Sequence, residues 1–401
     1  MMPSSGPRRR MAIVVTHPIQ YQASWFRALT ASPRLDIEVF FCHDARPEEQ
    51  AGAGFDVQFT WDRPLLEGYP YRFLNNIARQ PSIAAFNGLN TPEIGEIIRA
   101  GYYDALLVNG WNYRSAWQAF IAARRAGVPV MVRGDSQLHT PRHPAKRLAK
   151  ELLYRQFIPR FSACLAVGSR SREYYLHYGA SPDRVFLVPH TVDEDFFTAE
   201  RDRLRPHRDE LRRCWDLPTS ATVFLFVGKF IPKKRPLDFV EAVAGLAGRG
   251  APVAGLMVGD GPLRPEIESL IAATGAPVHL TGFLNQSGIP RAYAASDVLV
   301  LPSDGGETWG LVVNEAMLFG IPAVVSDAAG CAPDLTAPGA GATFPMGNVD
   351  VLVDRLSTYT DGDQRLRAES DAVRIAAERW SVRSAVLGLT AAVDAITFHA
   401  N

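Results

Sequence analysis

Cysteine is scarce in this sequence: four residues in 401, Cys42, Cys164, Cys214 and Cys331. They are far apart and form no C-x-x-C pair, so neither a zinc site nor a disulfide framework is signalled. That usage fits a reducing, cytoplasmic compartment. Long hydrophobic runs are also lacking. No stretch of about 20 apolar residues occurs, so no membrane-spanning helix is expected. The apolar run Met11–Val15 is too short for the core of a signal peptide and runs straight into His17-Pro18, so it reads as a first buried strand. Net charge is absent too. The 42 basic and 42 acidic side chains cancel, so no whole-molecule field favours nucleic acid as a partner, and any anion site must be local.

What is present is a soluble-protein hydrophobic content of 47% and enough length for two domains. Short apolar, β-branched runs alternate with helical patterns. Strands are expected at 12–16, 36–42, 105–108, 128–132, 164–167 and 185–188, then at 222–227, 253–258, 278–281, 297–301 and 323–326. Runs apolar on both faces and separated by helices indicate parallel sheets, hence an α/β chain of doubly wound, Rossmann-like domains. The strand rhythm lapses in a charged stretch after Val192. This places a first domain at 11–192, a linker at 193–214, a second domain at 215–375 and a C-terminal helix at 376–401, able to pack on either domain.

Residues 142–160 form a basic amphipathic pattern. Arg142, Lys146 and Lys150 share one helix face, and Leu148, Leu152 and Leu153 lie on another. Such a helix either touches anionic lipid headgroups, giving peripheral contact with the inner membrane face, or is an ordinary solvated helix packed on a sheet.

The residues that point to chemistry cluster in the second half. Asp304–Met317 reads D-G-G-E-T-W-G-L-V-V-N-E-A-M, a glycine-rich loop after a strand and before a helix starting near Gly310. Ligands of parallel sheets sit beyond the carboxyl ends of strands, and the first amides of a helix suit a phosphate. Glu307 and Glu315 bracket this turn, and carboxylates accept hydrogen bonds from vicinal hydroxyls such as those of a sugar and a ribose. Alone, Glu315 is also what a helix N-terminus favours, and Glu307 a solvated loop acid. The second segment, V-G-K-F-I-P-K-K-R-P, follows the strand at 222–227. Gly228 permits a tight exit, and Lys229, Lys233, Lys234 and Arg235 bring cations that can neutralise a departing diphosphate. The same run is also what a solvated charge cluster looks like. V-G-D-G-P-L at 258–263 has G-x-G without the full dinucleotide fingerprint, and L-T-G-F-L, ending at Leu284, can wall a base pocket.

Together these segments resemble the retaining glycosyltransferases of family 4, which have the GT-B fold: two Rossmann-like domains facing across a cleft. The resemblance rests on G-K-F-I-P-K-K-R-P, V-G-D-G-P-L, H-L-T-G-F-L and E-T-W-G-L-V-V-N-E-A, the last similar to the family's pair of glutamates with seven residues between them. It is strong over about 160 residues of the second half and looser in the first, through T-H-P-I-Q-Y and V-P-H-T-V-D. It implies that Glu307 holds hydroxyls of the donor sugar, Glu315 the ribose, and Lys229 and Lys234 the diphosphate, beside the amides of Gly310, Leu311 and Val312. The family usually has arginine at the Lys229 position, so the bidentate fork is lost there while the charge remains. Many members have a histidine near the position of Asp135 that meets the donor sugar across the cleft. Here R-G-D-S-Q-L-H offers Asp135 or Arg133 in its place, with His139 four residues on. Asp135 is also a residue that caps turns and helices.

The donor is thus expected on the second domain and the acceptor on the first, where His17, Gln20, Trp111 and Asn112 follow strands. Trp111 either stacks on sugar or is buried packing. Asp193-Glu194-Asp195 and Asp361-Gly362-Asp363 fit a D-x-D pattern but fall outside any strand–loop–helix site, so they read as loop acids, and no metal or other cofactor is expected beyond the nucleotide sugar. A nucleotide-sugar epimerase, a nicotinamide-dependent dehydrogenase and a non-catalytic sugar-binding protein are the competing readings. The missing glycine fingerprint weighs against the dehydrogenase, and the intact acid–lysine set against the inert protein.

Overall fold

Hydrophobic strands covered on both faces by helices build two all-parallel sheets in the computed structural model, which describes residues 8–44, 61–140, 143–336, 339–360 and 363–397, without the side chains of 363–369. The first sheet contains β1 (Arg9–Val15), β2 (Leu35–Phe41), β3 (Tyr71–Phe73), β4 (Ala105–Asn109), β5 (Val130–Gly134), β6 (Ala163–Ala166) and β7 (Val185–Leu187), in the order β3-β2-β1-β4-β5-β6-β7. The second contains β8 (Thr222–Val227), β9 (Val253–Val258), β10 (Val278–Gly282), β11 (Val298–Leu301), β12 (Ala323–Ser326) and β13 (Gly341–Phe344), in the order β10-β9-β8-β11-β12-β13. Both sheets reverse direction of growth at one point, between β1 and β4 and between β8 and β11. A crevice opens at such a switch point, beyond the carboxyl ends of the strands. This is the α/β GT-B arrangement of two Rossmann-like domains.

Eleven strands lie where the apolar runs place them, within three residues at their ends. The two further strands, β3 and β13, are edges. Tyr71 and Arg72 are exposed and only Phe344 of β13 is buried, so neither carries the doubly apolar signature of an inner strand.

The stretch 193–214 is not an open linker. It forms helices Glu194–Leu204 and Arg208–Cys214, docked on the second domain. Arg212, 3% exposed, bolts the second of these down. Its guanidinium donates to the carbonyls of Ala295, Thr219 and Ala221 and to Asp297 Oδ2 at 2.6 Å. A buried cation is tolerated only with this many acceptors. The C-terminal region is also divided. Helix Asp363–Arg379 stays on the second domain, and helix Val382–Thr397 crosses back to the first. There Ala385, Leu389, Ala392 and Val393 join the core with Met11, Ile13 and Val15, and Arg34 pairs with Asp394 at 2.8 Å. Gly388 permits this crossing, because a Cβ at that position would stand 2.0 Å from the Leu187 carbonyl oxygen. The chain therefore passes twice between domains, at Val188–Asp193 and at Trp380–Ser381. All four cysteines are free thiols.

Candidate active site

The exits of β8 and β11, neighbours at the switch point, form one continuous ledge. After β11, Asp304 Oδ1 accepts from the Gly306 amide at 2.7 Å, and its carbonyl accepts from the Glu307 amide at 2.9 Å. This tight turn swings Glu307 back toward β8. The Asp304 amide donates to the Lys233 carbonyl at 2.9 Å, which ties the two exits together. Gly310 then caps helix Leu311–Leu318 at φ +117, where a Cβ would stand 2.6 Å from Leu301 Cδ2, so a side chain there meets both strain and overlap. Trp309 Nε1 donates to Asn314 Oδ1 at 2.8 Å, pinning the loop to its helix from within the motif.

This folding brings Glu307 and Lys234 into a direct ion pair, both largely buried. Burial pushes the Glu307 carboxyl up, but Lys234 and Lys233 outweigh it and hold the group below the ordinary carboxylate range. Lys229 is pushed below the usual lysine value, first by burial and then by Lys234 and Lys233. Three lysines crowded this way favour an anion among them. Arg235 does not join them. It sits at φ +49 and its guanidinium grips Asp238 with bonds of 2.7 and 3.0 Å.

Beside this pair lies a cavity of about 220 Å³, walled by both domains. Gly228, Lys229, Lys234, Leu284, Leu311, Val312 and Glu315 line it, and the first domain contributes Gln20, Tyr21 and Trp61. Glu307 stands behind Lys234, and Gly310 caps the helix that presents Leu311 and Val312. Larger hollows of about 630 and 600 Å³ lie elsewhere, around Arg201 and Arg374, and gather none of these residues.

Glu315 is 9% exposed and accepts from the Tyr293 hydroxyl at 2.6 Å. Burial raises its carboxyl to about 7, against the lowering effect of that bond. A raised folded-state value means the contribution to stability is complete below the unfolded value of 4.5 and is lost as pH rises through about 7. Ribose hydroxyls donating to Glu315 would favour its ionised form, so nucleotide binding should expel a proton. Affinity for a nucleoside diphosphate is therefore expected to rise between pH 6 and pH 8 by up to about tenfold, and to lose that component in Glu315→Gln. Calorimetric titration in two buffers reads the proton release, and a pH-independent affinity would contradict the assignment.

The other sequence candidates are distributed across the cleft. Asp135 Oδ2 accepts from the Thr308 hydroxyl at 2.6 Å, so it sits against the Glu307 loop from the opposite domain. Arg133 is buried instead, donating to the Pro189 carbonyl at 2.8 Å and lying over the Trp25 ring. It braces the interdomain crossing. His139 is exposed. Trp111 is 7% exposed within an aromatic cluster with Phe157, Phe161, Tyr174 and Tyr175, so its ring is packing and offers no face for stacking on sugar. Asn112 is exposed, His17 bonds Thr16 at 2.9 Å, and Gln20, expected on the acceptor side, lines the same cavity as the lysines. Asp193 caps its helix and pairs with Arg27 at 2.9 Å, and Glu194 accepts from the Val382 amide at 2.5 Å, so this acidic run is structural. Of the second run, Asp361 and Gly362 lie outside the described residues.

Several contributors carried no sequence signal. Gln137 reaches across to donate to the carbonyls of Gly305 at 2.9 Å and Glu307 at 3.1 Å. Arg170 supports Gln137 at 3.0 Å and holds the Ala328 carbonyl at 2.8 Å. Asp334 accepts from the amide and hydroxyl of Ser169, and Asp62 accepts from the Ser287 amide at the cavity mouth. Apart from the Arg170–Gln137 bond, these contacts join residues more than 150 positions apart and hold the cleft closed over the Glu307 loop.

The same architecture occurs in the crystal structure of Anabaena Alr3699/HepE in complex with UDP and glucose. The TM-score is 0.66 at 18% identity, covering 95% of this chain and 98% of that one. Two facing parallel-sheet domains with this topology define the GT-B class of glycosyltransferase. Residues 207–374 match the family glycosyl transferases group 1, and residues 18–191 match the glycosyl transferase 4-like domain. The chain is 36% identical over 396 residues to the sulfoquinovosyl transferase SQD2 of Arabidopsis thaliana, covering 95% of this chain and 72% of the relative. It is 27% identical over 281 residues to the alpha-D-kanosaminyltransferase of Streptomyces kanamyceticus, covering 68% and 72%. The chain belongs to the group 1, family 4-like glycosyltransferases.

Proposed function

We propose that this glycosyltransferase moves a hexose-type sugar from a nucleoside diphosphate to an acceptor hydroxyl, with retention at the anomeric carbon and without a metal. The observation that carries the reading is the convergence of Lys229, Lys234, Glu307, Glu315 and the N-terminus of helix Leu311–Leu318 on one cavity edge. Lys229, Lys234 and the helix amides hold the diphosphate, and Glu315 holds the ribose. Glu307 takes hydroxyls of the donor sugar, with Asp135 approaching from the other domain. The base occupies the apolar end, between Trp61 and the Phe283–Leu284–Ile289 wall. Gln20 and Gln286 each carry a buried amide oxygen with no partner among the described residues, acceptors for the nucleotide to use.

In the step itself, the acceptor oxygen bonds to the anomeric carbon as the bond from that carbon to the phosphate oxygen breaks. Attack comes on the face the phosphate leaves, and the phosphate takes the acceptor proton. Lys229 and Lys234 neutralise the charge that develops on it. The first domain closes the site against water, which protects the donor from hydrolysis. Acceptor classes compatible with this site are a polysaccharide, a lipid-linked glycan and a small molecule, and the scarce, unpaired cysteines support a cytoplasmic setting for the reaction. UDP-sugars, one of which the Anabaena neighbour itself holds in a further crystal structure, head the list to test. In a thermal-shift panel of nucleotide sugars one donor should raise the melting temperature, and nucleoside diphosphate should then be released only when an acceptor is added. Turnover of donor alone into an epimer would favour the epimerase, and no stabilisation by any nucleotide sugar would sink the proposal.

A further inference from the structure

The helix Pro144–Phe157 is built inside out. Its packed side carries Lys150, Tyr154 and the buried Phe157, with the Lys150 ammonium 4.5 to 5.5 Å from the ring centres of Tyr174, Tyr154 and Tyr178. Its leucines face outward: Leu148, Leu152 and Leu153 are 63%, 63% and 65% exposed. With 3.6 residues per turn, Ala145, Leu148, Ala149 and Leu152 fall in one stripe with Leu153 at its margin. Exposed Lys146 flanks the stripe on one side, and exposed Arg155 on the other. Between 143 and 160 there are five cations against one carboxylate, Glu151, which is taken by Arg155 at 2.6 Å and His177 at 2.9 Å. Leu138, in the loop leading to this helix, is 41% exposed as well.

We infer that this face is a docking surface for an anionic lipid bilayer. An apolar stripe bordered by cations enters the acyl–headgroup boundary while its cations meet the phosphates. A second copy of the chain fits less well. Both copies would bring Lys146 and Arg155 against the same residues of the other, and three leucines on four turns fall well short of the roughly 800 Å² per partner of a standard interface. The loop from Gly134 carries Asp135 and Gln137 to the cleft and then reaches this helix within ten residues. Docking would therefore hold the cleft edge close to the membrane plane. The inference does not depend on the donor chemistry, and either can fail without the other.

The test is cosedimentation of the full chain with phosphatidylcholine vesicles, with and without phosphatidylglycerol. Binding to the anionic vesicles is expected, weakening with salt. The variant Leu148→Ser/Leu152→Ser/Leu153→Ser is expected to bind them at least about tenfold more weakly, with an unchanged melting temperature because none of the three side chains is buried. Lys146→Glu/Arg155→Glu should remove the preference for phosphatidylglycerol. Absence of binding by the unmodified chain, or equal binding by the leucine variant, would overturn the inference. So would a lipid-free dimer that the leucine substitutions abolish, since the stripe would then belong to a second copy.

Discussion

Glu307→Gln is expected to lower the turnover of sugar transfer by about 10² to 10³ while nucleoside diphosphate affinity changes by less than about threefold. The substitution keeps shape and volume. It removes the charge that Lys234 and Lys233 hold in its ionised form inside a nearly closed pocket. In the absence of donor, the Glu307 carboxylate is the partner of Lys234. On the proposed function, the arriving diphosphate competes for that lysine and leaves Glu307 free to accept from sugar hydroxyls as positive charge develops at the neighbouring carbon. The effect therefore falls on the chemical step and not on nucleotide capture. Steady-state kinetics with a saturating donor, alongside calorimetry with the nucleoside diphosphate, separates the two. An equal loss in both would assign Glu307 to binding alone.

Lys234→Ala should damage both stability and activity. It strands a carboxylate that is 8% exposed, and removing one partner of a buried pair costs about 3 to 5 kcal/mol where no water can reach the survivor. Lys234 reaches the cavity, so the lower end of that range applies, a fall of several degrees in Tm. Loss of a phosphate-neutralising cation should also lower kcat/KM by at least about 10². The double variant Lys234→Ala/Glu307→Gln distinguishes the two effects. It no longer buries a lone charge, so its Tm is expected to recover relative to Lys234→Ala, with transfer still lost. If the double variant were destabilised, relative to the unmodified protein, by the full sum of the two single losses, the pair would not be coupled, which would contradict the ion pair.

Much of this site could be read in the sequence because its geometry is local. The run from Glu307 to Glu315 contains its own loop, cap, helix and internal Trp309–Asn314 bond, so spacing alone fixes where the two acids stand. The lysine run follows the neighbouring strand at the same switch point, and the alternation of strands and helices dictates that adjacency. What failed to show was everything that depends on closure of one domain on the other. Gln137, Arg170 and Asp334 are polar residues without motif context, and their partners lie more than 150 positions away. Trp111 shows the converse. Its place after a strand suggested an open face, yet the aromatic residues that bury it come from segments 46 to 64 positions later. The second interdomain crossing at Trp380 was equally invisible, since an amphipathic helix records that it packs but not on which domain.

The most direct test is a crystal structure of the chain with the nucleoside diphosphate that the binding screen selects. The account predicts the diphosphate against Lys229, Lys234 and the amides of Gly310, Leu311 and Val312. It places the ribose on Glu315 and the base between Trp61 and Leu284. A nucleotide bound instead in the arginine-lined hollow near Arg201 and Arg374, with the Glu307–Lys234 pair undisturbed, would contradict it.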